Sequence, residues 1–345
     1  MTGQQLYEQV NYYALALDPI HVGTGGYRLG QVDLTILREP GTHLPKIPGS
    51  SLAGAARAYT AMRYNRYRRY DPEKQKYVSC AGKGGEDGSE HCGEMTCDVC
   101  LPYGFTIGPQ NRSFHGLAQF YDAQVLFFPV HSMVGPVWVT APGVLSEAGY
   151  DLSPEQALAG HQVRTAPGLV PKTEENRRRG LNLGWLFLDV GGDDLDTGSI
   201  WEAMGLPAGL EQVKKRLVLV SDQLFSLVVD NNLEVRTSVS IHPETGAAEE
   251  KALFTYESIP RATFLVMDVV LDDYREAFPK TCETAKGNPL PGGPWNGPLD
   301  VVKAGLKMVG WLGVGGMGTR GFGRLAVVGQ PKEKGHPGQT MEVSA

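Results

Sequence analysis

Apolar residues along the chain form several short β-type runs and two helix-favouring stretches. Runs rich in Val, Ile, Leu, Phe and Tyr, bounded by Gly or Pro, predict strands at residues 6–22, 118–130, 136–144, 262–271 and 325–328. Ala-rich sequence from residue 50 to about residue 70, and helical spacing over residues 299–312, predict two helices. This order predicts an α+β fold and is compatible with a ferredoxin-like (RRM-like) topology.

Other segments depart from this pattern. Two strand-like runs, residues 233–241 and 252–259, flank a His-Pro-Glu-Thr-Gly turn sequence and predict a projecting hairpin within residues 233–261. Residues 77–104 are rich in Gly, Cys and acids without apolar periodicity, which predicts an insertion that a metal has to order. Residues 171–196 carry little regular signal. We expect one domain over residues 1–329 and a polar tail over residues 330–345.

Charge is unevenly distributed along the 345-residue chain, whose formal net charge is -6. A free-standing nucleic-acid-binding protein usually carries a basic excess, so the total disfavours that class. Residues 57–76 nevertheless hold seven Lys or Arg and two acids, a local charge of +5. No apolar run approaches the roughly 20 residues of a membrane span, and the N-terminus lacks a signal-peptide pattern, so we expect a cytoplasmic protein without a membrane partner.

Four of the five cysteines lie within residues 80–100. Cys80, Cys92, Cys97 and Cys100 offer four soft ligands, and in a reducing compartment such clustering indicates a metal before it indicates disulfides. Thiolates at this spacing predict a closed, tetrahedral and therefore structural Zn²⁺ site. His91 stays open as a ligand in place of Cys80 or Cys92, and redox-active or incidental thiols are the alternative interpretation.

Two loops are suited to RNA phosphates. Residues 47–52 predict a loop that feeds a helix N-terminus, whose N–H groups attract anions, although an ordinary N-cap is the simpler explanation. The glycine-rich residues 313–324 match neither a P-loop nor a dinucleotide fingerprint; they bring two backbones close together or act as a flexible connector. The candidate contacts for phosphate are Ser50, Ser51, Arg57, Arg63, Gly315, Gly316, Thr319 and Arg320, and the resemblance described below implies that this phosphate belongs to RNA.

Tyrosines alternate with arginines in residues 59–70. This mixture suits stacking and phosphate contacts with single-stranded RNA. The same tyrosines are equally suited to closing a helix face onto the core, with the arginines in solvent, and the sequence leaves both interpretations open.

Asp33 is a lone acid in an apolar stretch that follows a glycine-rich loop, and His21 lies at the start of that loop. Taken alone, an Asp in this position is more often a turn or cap residue than a catalyst. The chain has no Ser-His-Asp arrangement, HExxH motif or defensible carboxylate pair.

As a set and in this order, these segments resemble the RAMP superfamily, and within it the backbone subunits of type III-B (Cmr) CRISPR effectors. The matching residues are 18–25, 29–39, 47–52, 127–130 with 138–140, 236–246 with 252–261, and the glycine-rich loop before the last strand. The resemblance covers most of residues 13–328. Ala53 departs from a Lys that is common in the family, and the cysteine insertion is closer to the zinc segment of the related Csm backbone subunits.

The resemblance implies a ferredoxin-like (RRM-like) palm with a β-hairpin thumb and a zinc-binding insertion. It implies a subunit for antiviral defence that binds guide RNA (crRNA) and stacks with further copies of itself and with other type III effector subunits. Ser50, Ser51, Arg57 and the glycine-rich loop would hold the guide backbone. Asp33 would cut the paired target RNA with Mg²⁺ or a similar divalent cation, and we expect a smaller contribution from His21.

Two other functions stay open on the sequence. A catalytically inactive RNA-binding scaffold of the same kind of complex is compatible with the net acidity and with the missing Lys at Ala53. A zinc-stabilised protein-interaction module without an RNA role is favoured only by the overall charge.

Overall fold

A computed structural model of the chain describes residues 7–25, 32–82, 90–107, 112–153, 158, 161–170, 180–191, 194–239, 241–248, 253–278, 295 and 297–334. Within these ranges no helix combines the length and apolar character that crossing a membrane requires. Cys282 and the last eleven residues of the predicted polar tail, 335–345, lie outside the described residues.

The described residues form strands and helices in mixed order. The strands are β1 (Glu8–Ala16), β2 (Lys46–Ile47), β3 (Arg69–Asp71), β4 (Lys76–Val78), β5 (Phe105–Ile107), β6 (Arg112–Phe114), β7 (Ala118–Phe120), β8 (Ala123–Val130), β9 (Val137–Thr140), β10 (Gln162–Thr165), β11 (Gly180–Leu183), β12 (Leu186–Val190), β13 (Leu217–Leu219), β14 (Glu234–Ser238), β15 (Phe254–Ser258), β16 (Phe264–Leu271) and β17 (Leu325–Lys334). The α-helices are α1 (Gly49–Arg63), α2 (Cys100–Tyr103), α3 (Pro142–Glu147), α4 (Thr197–Ala203), α5 (Glu211–Lys214), α6 (Asp222–Asn231) and α7 (Pro298–Leu312).

One large, mostly antiparallel sheet organises the chain. Its strand order is β11-β12-β10-β13-β9-β8-β16-β1-β17, with β2 paired to β8 and β7 paired to β16. The neighbours β8, β16, β1 and β17 are antiparallel throughout, and the chain visits this part of the sheet in the order β1, α1, β8, β16, α7, β17. The predicted α+β class is therefore confirmed as a mixed fold built on a large antiparallel sheet.

β1 lies inside the sheet, and its side chains alternate between two cores. Tyr12 is buried with Leu265 and Val302 under α1 and α7, whereas Tyr13 is buried with Phe127 on the opposite side. Successive side chains of a strand point to opposite faces. Because both faces of β1 are covered, residues 12–16 of the strand form a continuous apolar run instead of an alternating one.

Helices α1 and α7 pack closely enough that one contact position has to be Gly. A Cβ atom on Gly305 of α7 would lie 2.6 Å from Tyr103 Oη and 2.8 Å from both Ala56 O and Thr60 Oγ1. Any larger residue would push the two helices apart. The close packing fixes α1, and with it the segments that α1 carries at each end.

α1 is shorter than the sequence predicts, because it ends at Arg63 and not near residue 70. Asn65 adopts the left-handed conformation (φ 55°), Arg66 N–H donates to Ala61 O, and Asn65 N–H donates to Met62 O. This pair of hydrogen bonds is a Schellman motif, which terminates helices at Asn or Gly. The basic, Tyr-rich segment is therefore not one helix face, since it leaves the helix after Arg63 and its last residues, Arg69 and Tyr70, lie in β3.

Other boundaries also differ from the predicted ones. The strand predicted to end at residue 144 ends at Thr140, because α3 begins two residues later at Pro142. Residues 180–190 were predicted to carry little regular structure but contain β11 and β12. β17 runs to Lys334 and takes up the first residues of the predicted tail. The predicted hairpin is present with shorter strands, β14 and β15, paired from Glu234 with Ser258 to Ser238 with Phe254.

Candidate functional site at the root of the hairpin

Asp33 exchanges hydrogen bonds with Thr255 of β15. The paired strands β14 and β15 form the root of the hairpin within residues 233–261. The Asp33 Oδ2 atom accepts hydrogen bonds from the backbone N–H (2.7 Å) and the hydroxyl (2.9 Å) of Thr255, and the Asp33 N–H donates to Thr255 Oγ1 (3.1 Å). The Thr255 N–H first, and its hydroxyl second, hold the pKa of Asp33 below its ordinary value. The carboxylate is therefore ionised at neutral pH, which suits it to bind a cation and not to donate a proton.

The segment around Asp33 is fixed to β15 by the backbone and by one ion pair. Leu34 N–H donates to Thr255 O (3.0 Å), and Glu257 N–H donates to Leu34 O (3.1 Å). The buried Glu257 carboxylate accepts from Ile36 N–H (2.7 Å) and binds Arg38 through both oxygens, at 2.5 and 3.0 Å. Glu257 is the main reason that the pKa of Arg38 is raised.

His21 bonds to the same hairpin root, two residues further along β15. Its Nδ1 atom is 2.7 Å from Glu257 O, and because a carbonyl oxygen only accepts, Nδ1 carries a proton and donates it. The ring meets Tyr256 edge-on at 6.1 Å between centroids. Thr255 and Glu257 are two residues apart on β15, which separates the attachment points of Asp33 and His21 by about 7 Å.

The glycine-rich loop lies directly against His21. Gly316 N–H donates to His21 O (2.8 Å), and a Cβ atom on Gly315, whose φ is +86°, would lie 2.4 Å from the same oxygen. Of the two interpretations of this loop, the close backbone approach is the one that the structure bears out at Gly315. Gly315, Gly316 and Thr319 are exposed beside the buried His21.

Two cation–π contacts join the glycine-rich loop to the hairpin. The guanidinium of Arg320 lies 5.4 Å from the centre of the Phe254 ring, and its Nη1 donates to Ser238 Oγ (3.3 Å). In the second contact the hairpin supplies the cation and the loop supplies the ring: the guanidinium of Arg236 lies 4.9 Å from the centre of the Phe322 ring. Asp33, His21, Gly315, Gly316 and Arg320 are thus gathered around one hairpin root.

The start of α1 differs from its prediction. Pro48 occupies the N-cap and has no side-chain acceptor, and Gly49 N–H instead donates to Asp122 Oδ1 (2.8 Å). Ser50 and Ser51 therefore do not cap α1, because they lie inside its first turn. Asp122 already places a negative charge at this helix end, and the predicted phosphate contacts of the two serines stay predictions.

The four cysteines of the insertion form a buried cluster. Their Sγ atoms all lie within 4.8 Å of one another, and Cys80 Sγ is 3.7 Å from Cys97 Sγ. Tetrahedral Zn–S bonds of about 2.3 Å place sulfurs about 3.8 Å apart, so the donor set fits zinc. Cys100 N–H donates to Cys97 Sγ (3.4 Å) within the Cys-x-x-Cys turn. Among the described residues, this is the only group of three or more His, Cys, Asp or Glu side chains arranged to hold a metal.

Arg57 and His91 tie this cluster to α1. Arg57 Nε donates to Cys80 O (2.7 Å), and Arg57 Nη2 lies 2.7 Å from His91 Nε2. Burial first, and the Arg57 charge second, lower the pKa of His91 to about 4. His91 is therefore neutral at pH 7 and accepts from Arg57, whereas the metal-ligand group consists of the four thiols. Arg57, predicted to contact RNA, makes its described hydrogen bonds inside the protein.

Two more basic residues of the segment face the cluster. Arg66 pairs with the buried Asp98 at 3.5 Å, and Arg69 Nη2 lies 3.8 Å from Cys92 Sγ and 3.2 Å from Glu94. Four thiolates around Zn²⁺ would carry a net charge of about -2, which these guanidinium groups would offset. Arg63 is exposed in the last turn of α1.

Sequence reasoning missed Thr255, Arg38 and Glu257, which position Asp33. Glu257 is buried, but β15 has the mixed sequence Phe-Thr-Tyr-Glu-Ser, which does not mark this acid as a buried one that needs a partner. Nothing in the sequence identifies that partner as Arg38, which lies 219 residues away along the chain.

Comparisons with known proteins agree with this architecture. A family model of the RAMP superfamily matches residues 14–326. The CRISPR system Cmr endoribonuclease Cmr4 of Pyrococcus furiosus is 28% identical over 267 residues, which cover 72% of this chain and 76% of that protein.

Solved structures extend the likeness to nearly the whole chain. Oligomeric Cmr4 from Pyrococcus furiosus has a TM-score of 0.53 at 19% identity, covering 95% of this chain and 99% of that one. A chain of the type III-B Cmr-β complex bound to cognate target RNA has a TM-score of 0.55 at 15% identity, covering 93% and 96%. At these identities, the structural likeness shows a shared fold.

Proposed function

Because the chain belongs to the RAMP superfamily, we propose that it is a guide-RNA-binding backbone subunit of a type III CRISPR effector that cuts paired target RNA as a metal-dependent endoribonuclease. The similarity to Cmr4 over 72% of the chain supports this kind of complex. Under this proposal the partners are crRNA, target RNA, further copies of the chain and other effector subunits, and the complex acts in the cytoplasm.

The strand order supports a ferredoxin-like palm with a hairpin thumb. β17, β1, β16 and β8 are neighbours in that order, and α1 and α7 connect them as the two crossover helices of a βαββαβ unit. The β14–β15 hairpin leaves this unit between α6 and β16 and would serve as the thumb.

One observation carries the enzymatic part of the proposal. Asp33 is an ionised, half-buried carboxylate held at the hairpin root, next to a glycine-rich loop with an arginine at its surface. Mg²⁺ binds oxygen ligands and keeps several waters, so one carboxylate and a phosphate oxygen suffice to hold it. When bound, the cation would stabilise negative charge on the phosphate or on the leaving oxygen.

RNA binding at this site would be directed to the backbone. Gly315, Gly316, Thr319 and Arg320 are exposed; since the Gly316 N–H is bonded to His21 O, the loop would bond phosphate through the Thr319 hydroxyl, the Arg320 guanidinium and its remaining N–H groups, without reading bases. His21 would position the loop through its carbonyl, which accepts the Gly316 N–H, and we expect a smaller effect from its imidazole.

Cys80, Cys92, Cys97 and Cys100 would bind one structural Zn²⁺. The buried four-thiol set supports this part of the proposal, since it leaves no position open for water or substrate.

The Asp33→Asn variant tests the nuclease assignment directly. Asn keeps an oxygen that accepts from Thr255, so the loop stays attached to β15 while the charge is lost. We expect assembly and guide binding at wild-type levels but no metal-dependent target cleavage in the reconstituted complex. Asp230→Asn, which removes a nearby exposed acid paired with Arg38, is the matched control and should cleave normally.

The scaffold function is the second candidate, because the bonds to Thr255 give the Asp33 carboxylate a structural use. Asp33→Ala removes both the charge and these bonds. If Asp33→Asn cuts at the wild-type rate and only Asp33→Ala is impaired, Asp33 is structural and the scaffold assignment stands.

A further inference from the structure

The β3–β4 hairpin presents an aromatic and basic face that neither the cysteine cluster nor the hairpin root uses. We propose that this face, formed by Tyr70, Tyr77 and Arg68, binds single-stranded RNA by stacking bases on the tyrosine rings. This binding requires neither target cleavage nor guide binding at the β14–β15 hairpin.

The two tyrosines form an exposed cross-strand pair. Tyr70 of β3 lies opposite Tyr77 of β4, with the ring centroids 5.5 Å apart and the planes at 72°. They are 55% and 52% exposed, whereas Asp71 and Val78, on the opposite face of the hairpin, are buried. The guanidinium of Arg68 lies 4.9 Å from the centre of the Tyr77 ring. Flat rings open to solvent, with a cation already stacked on one of them, form a base-stacking platform.

The charge around this face favours a polyanion over a protein as the partner. Residues 63–77 expose four basic side chains, Arg63, Arg68, Lys74 and Lys76, and one acid, Glu73, in a chain whose formal net charge is -6. Lys74 pairs with Asp71 and Glu94, and Lys76 lies opposite Asp71 in the hairpin, so Arg68, stacked on Tyr77, and Arg63 are the cations offered to a ligand. The remaining basic residues nearby, Arg57, Arg66 and Arg69, bond to groups of the insertion. A basic patch with interleaved aromatic rings on an otherwise acidic chain is the electrostatic footprint of nucleic acid.

This face and the glycine-rich loop are formed by different elements. Tyr59, whose hydroxyl donates to Gly313 O (2.7 Å), meets the loop four residues before the end of α1, about 6 Å along the helix axis. The β3–β4 hairpin follows the Schellman turn at that end of the helix. Because the two surfaces share no residue, separate variants distinguish binding at one from binding at the other.

The test uses the full-length, zinc-loaded chain and a fluorescein-labelled oligouridylate of about 12 nucleotides. We expect the double variant Tyr70→Leu/Tyr77→Leu to weaken binding about tenfold, because each stacked base is lost with its ring. Tyr274→Leu is the matched control. Tyr274 is 56% exposed and also lies under an arginine, Arg275 at 5.1 Å, so its loss should leave the affinity unchanged.

Salt dependence and crosslinking give independent measurements. Arg63→Gln/Arg68→Gln should flatten the slope of log affinity against log salt by about 1.4, the value for two phosphate contacts on a single strand. RNA that carries 5-bromouridine should crosslink to Tyr70 or Tyr77, and Arg320→Gln, which alters the glycine-rich loop, should leave these crosslinks intact.

Three results would overturn the proposal. One is wild-type affinity in the tyrosine double variant, and another is no RNA binding by the wild-type chain at about 50 mM salt. The third is loss of self-association or of another subunit in that variant with RNA binding unchanged, which would identify the face as a protein interface. Weaker binding in Arg320→Gln with the Tyr70 or Tyr77 crosslinks retained would concern only the function proposed for the hairpin root.

Discussion

The root of the β14–β15 hairpin and the cysteine insertion contain the same kinds of residue but use them in opposite ways. At the hairpin root, Arg320 lies on the Phe254 ring at the surface, whereas in the insertion Arg69 turns inward to Cys92. The difference follows from the buried thiols, whose negative charge in a metal-bound cluster requires cations nearby. A basic segment of sequence therefore identifies an RNA surface only after its pairing with buried anions has been taken into account.

Loss of the metal should disturb the cysteine insertion strongly and the hairpin root hardly at all, which is the largest effect that we expect. Cys97→Ser breaks the four-thiol set, and structural Zn²⁺ in small sites has apparent binding energies of about 10–16 kcal/mol, part of which supports folding. We expect loss of bound zinc by elemental analysis and loss of hydrogen-exchange protection in the described part of residues 77–104.

In the same variant, hydrogen-exchange protection at the hairpin root should be unchanged. Any complex that assembles with this variant should still cleave target RNA. Cys282→Ser, which removes the cysteine outside the cluster, is the control and should retain one zinc per chain. Zinc-free wild-type protein, prepared without chelator, would contradict the metal assignment.

Glu257→Gln should have the largest effect at the hairpin root. The substitution leaves Arg38 without its bidentate partner and weakens the bond from Ile36 N–H, so we expect the free energy of unfolding to fall by about 1.5–3 kcal/mol. Urea denaturation measures the change. Glu234→Gln alters an exposed pair with Arg236 and should cost less than about 1 kcal/mol. Equal losses in the two variants would mean that the buried pair does not hold the root.

Gly315→Ala should have a smaller and more local effect. Its φ of +86° and the proximity of His21 O make a side chain strained there, at a cost of about 1–3 kcal/mol. Gly318→Ala is a close control in the same loop, because a Cβ there meets nothing within 4 Å and its φ is not positive. We expect weaker RNA binding and a lower free energy of unfolding for Gly315→Ala but not for Gly318→Ala. Equal affinities and stabilities in the two variants would show that the loop does not depend on the close approach of Gly315 to His21 O.

Local sequence signals predicted the elements of the fold better than their ends. The helix at residue 298 and the hairpin around residues 242–246 follow from spacing and turn chemistry, and both are present. The end of α1 was wrong by about seven residues, because Tyr and Arg continue past Asn65 without a Gly or Pro to mark the Schellman turn. β11 and β12 were missed because strands of four and five residues carry little periodicity of their own.

The candidate site was predictable as a set of residues but not as a geometry. Resemblance to a family pointed to Asp33, yet the atoms that lower its pKa belong to Thr255, 222 residues further along the chain. For the cysteines, spacing alone was sufficient, since all four ligands lie within one short segment. Long-range pairing explains why Asp33 stays a proposal to be tested, whereas the four-cysteine cluster was predicted correctly.

The reciprocal bonds between Asp33 and Thr255 tie the candidate site to the outer end of the paired strands. Thr255 pairs with Thr237, one pair before the last pair, Ser238 with Phe254, and Glu257, which holds Ile36 and Arg38, lies two residues nearer the body. We expect a displacement of the hairpin beyond Ser238 to move the Asp33 carboxylate before it moves Arg38, because the bond at Thr255 lies closer to the tip. What the hairpin contacts would then influence where that negative charge is held.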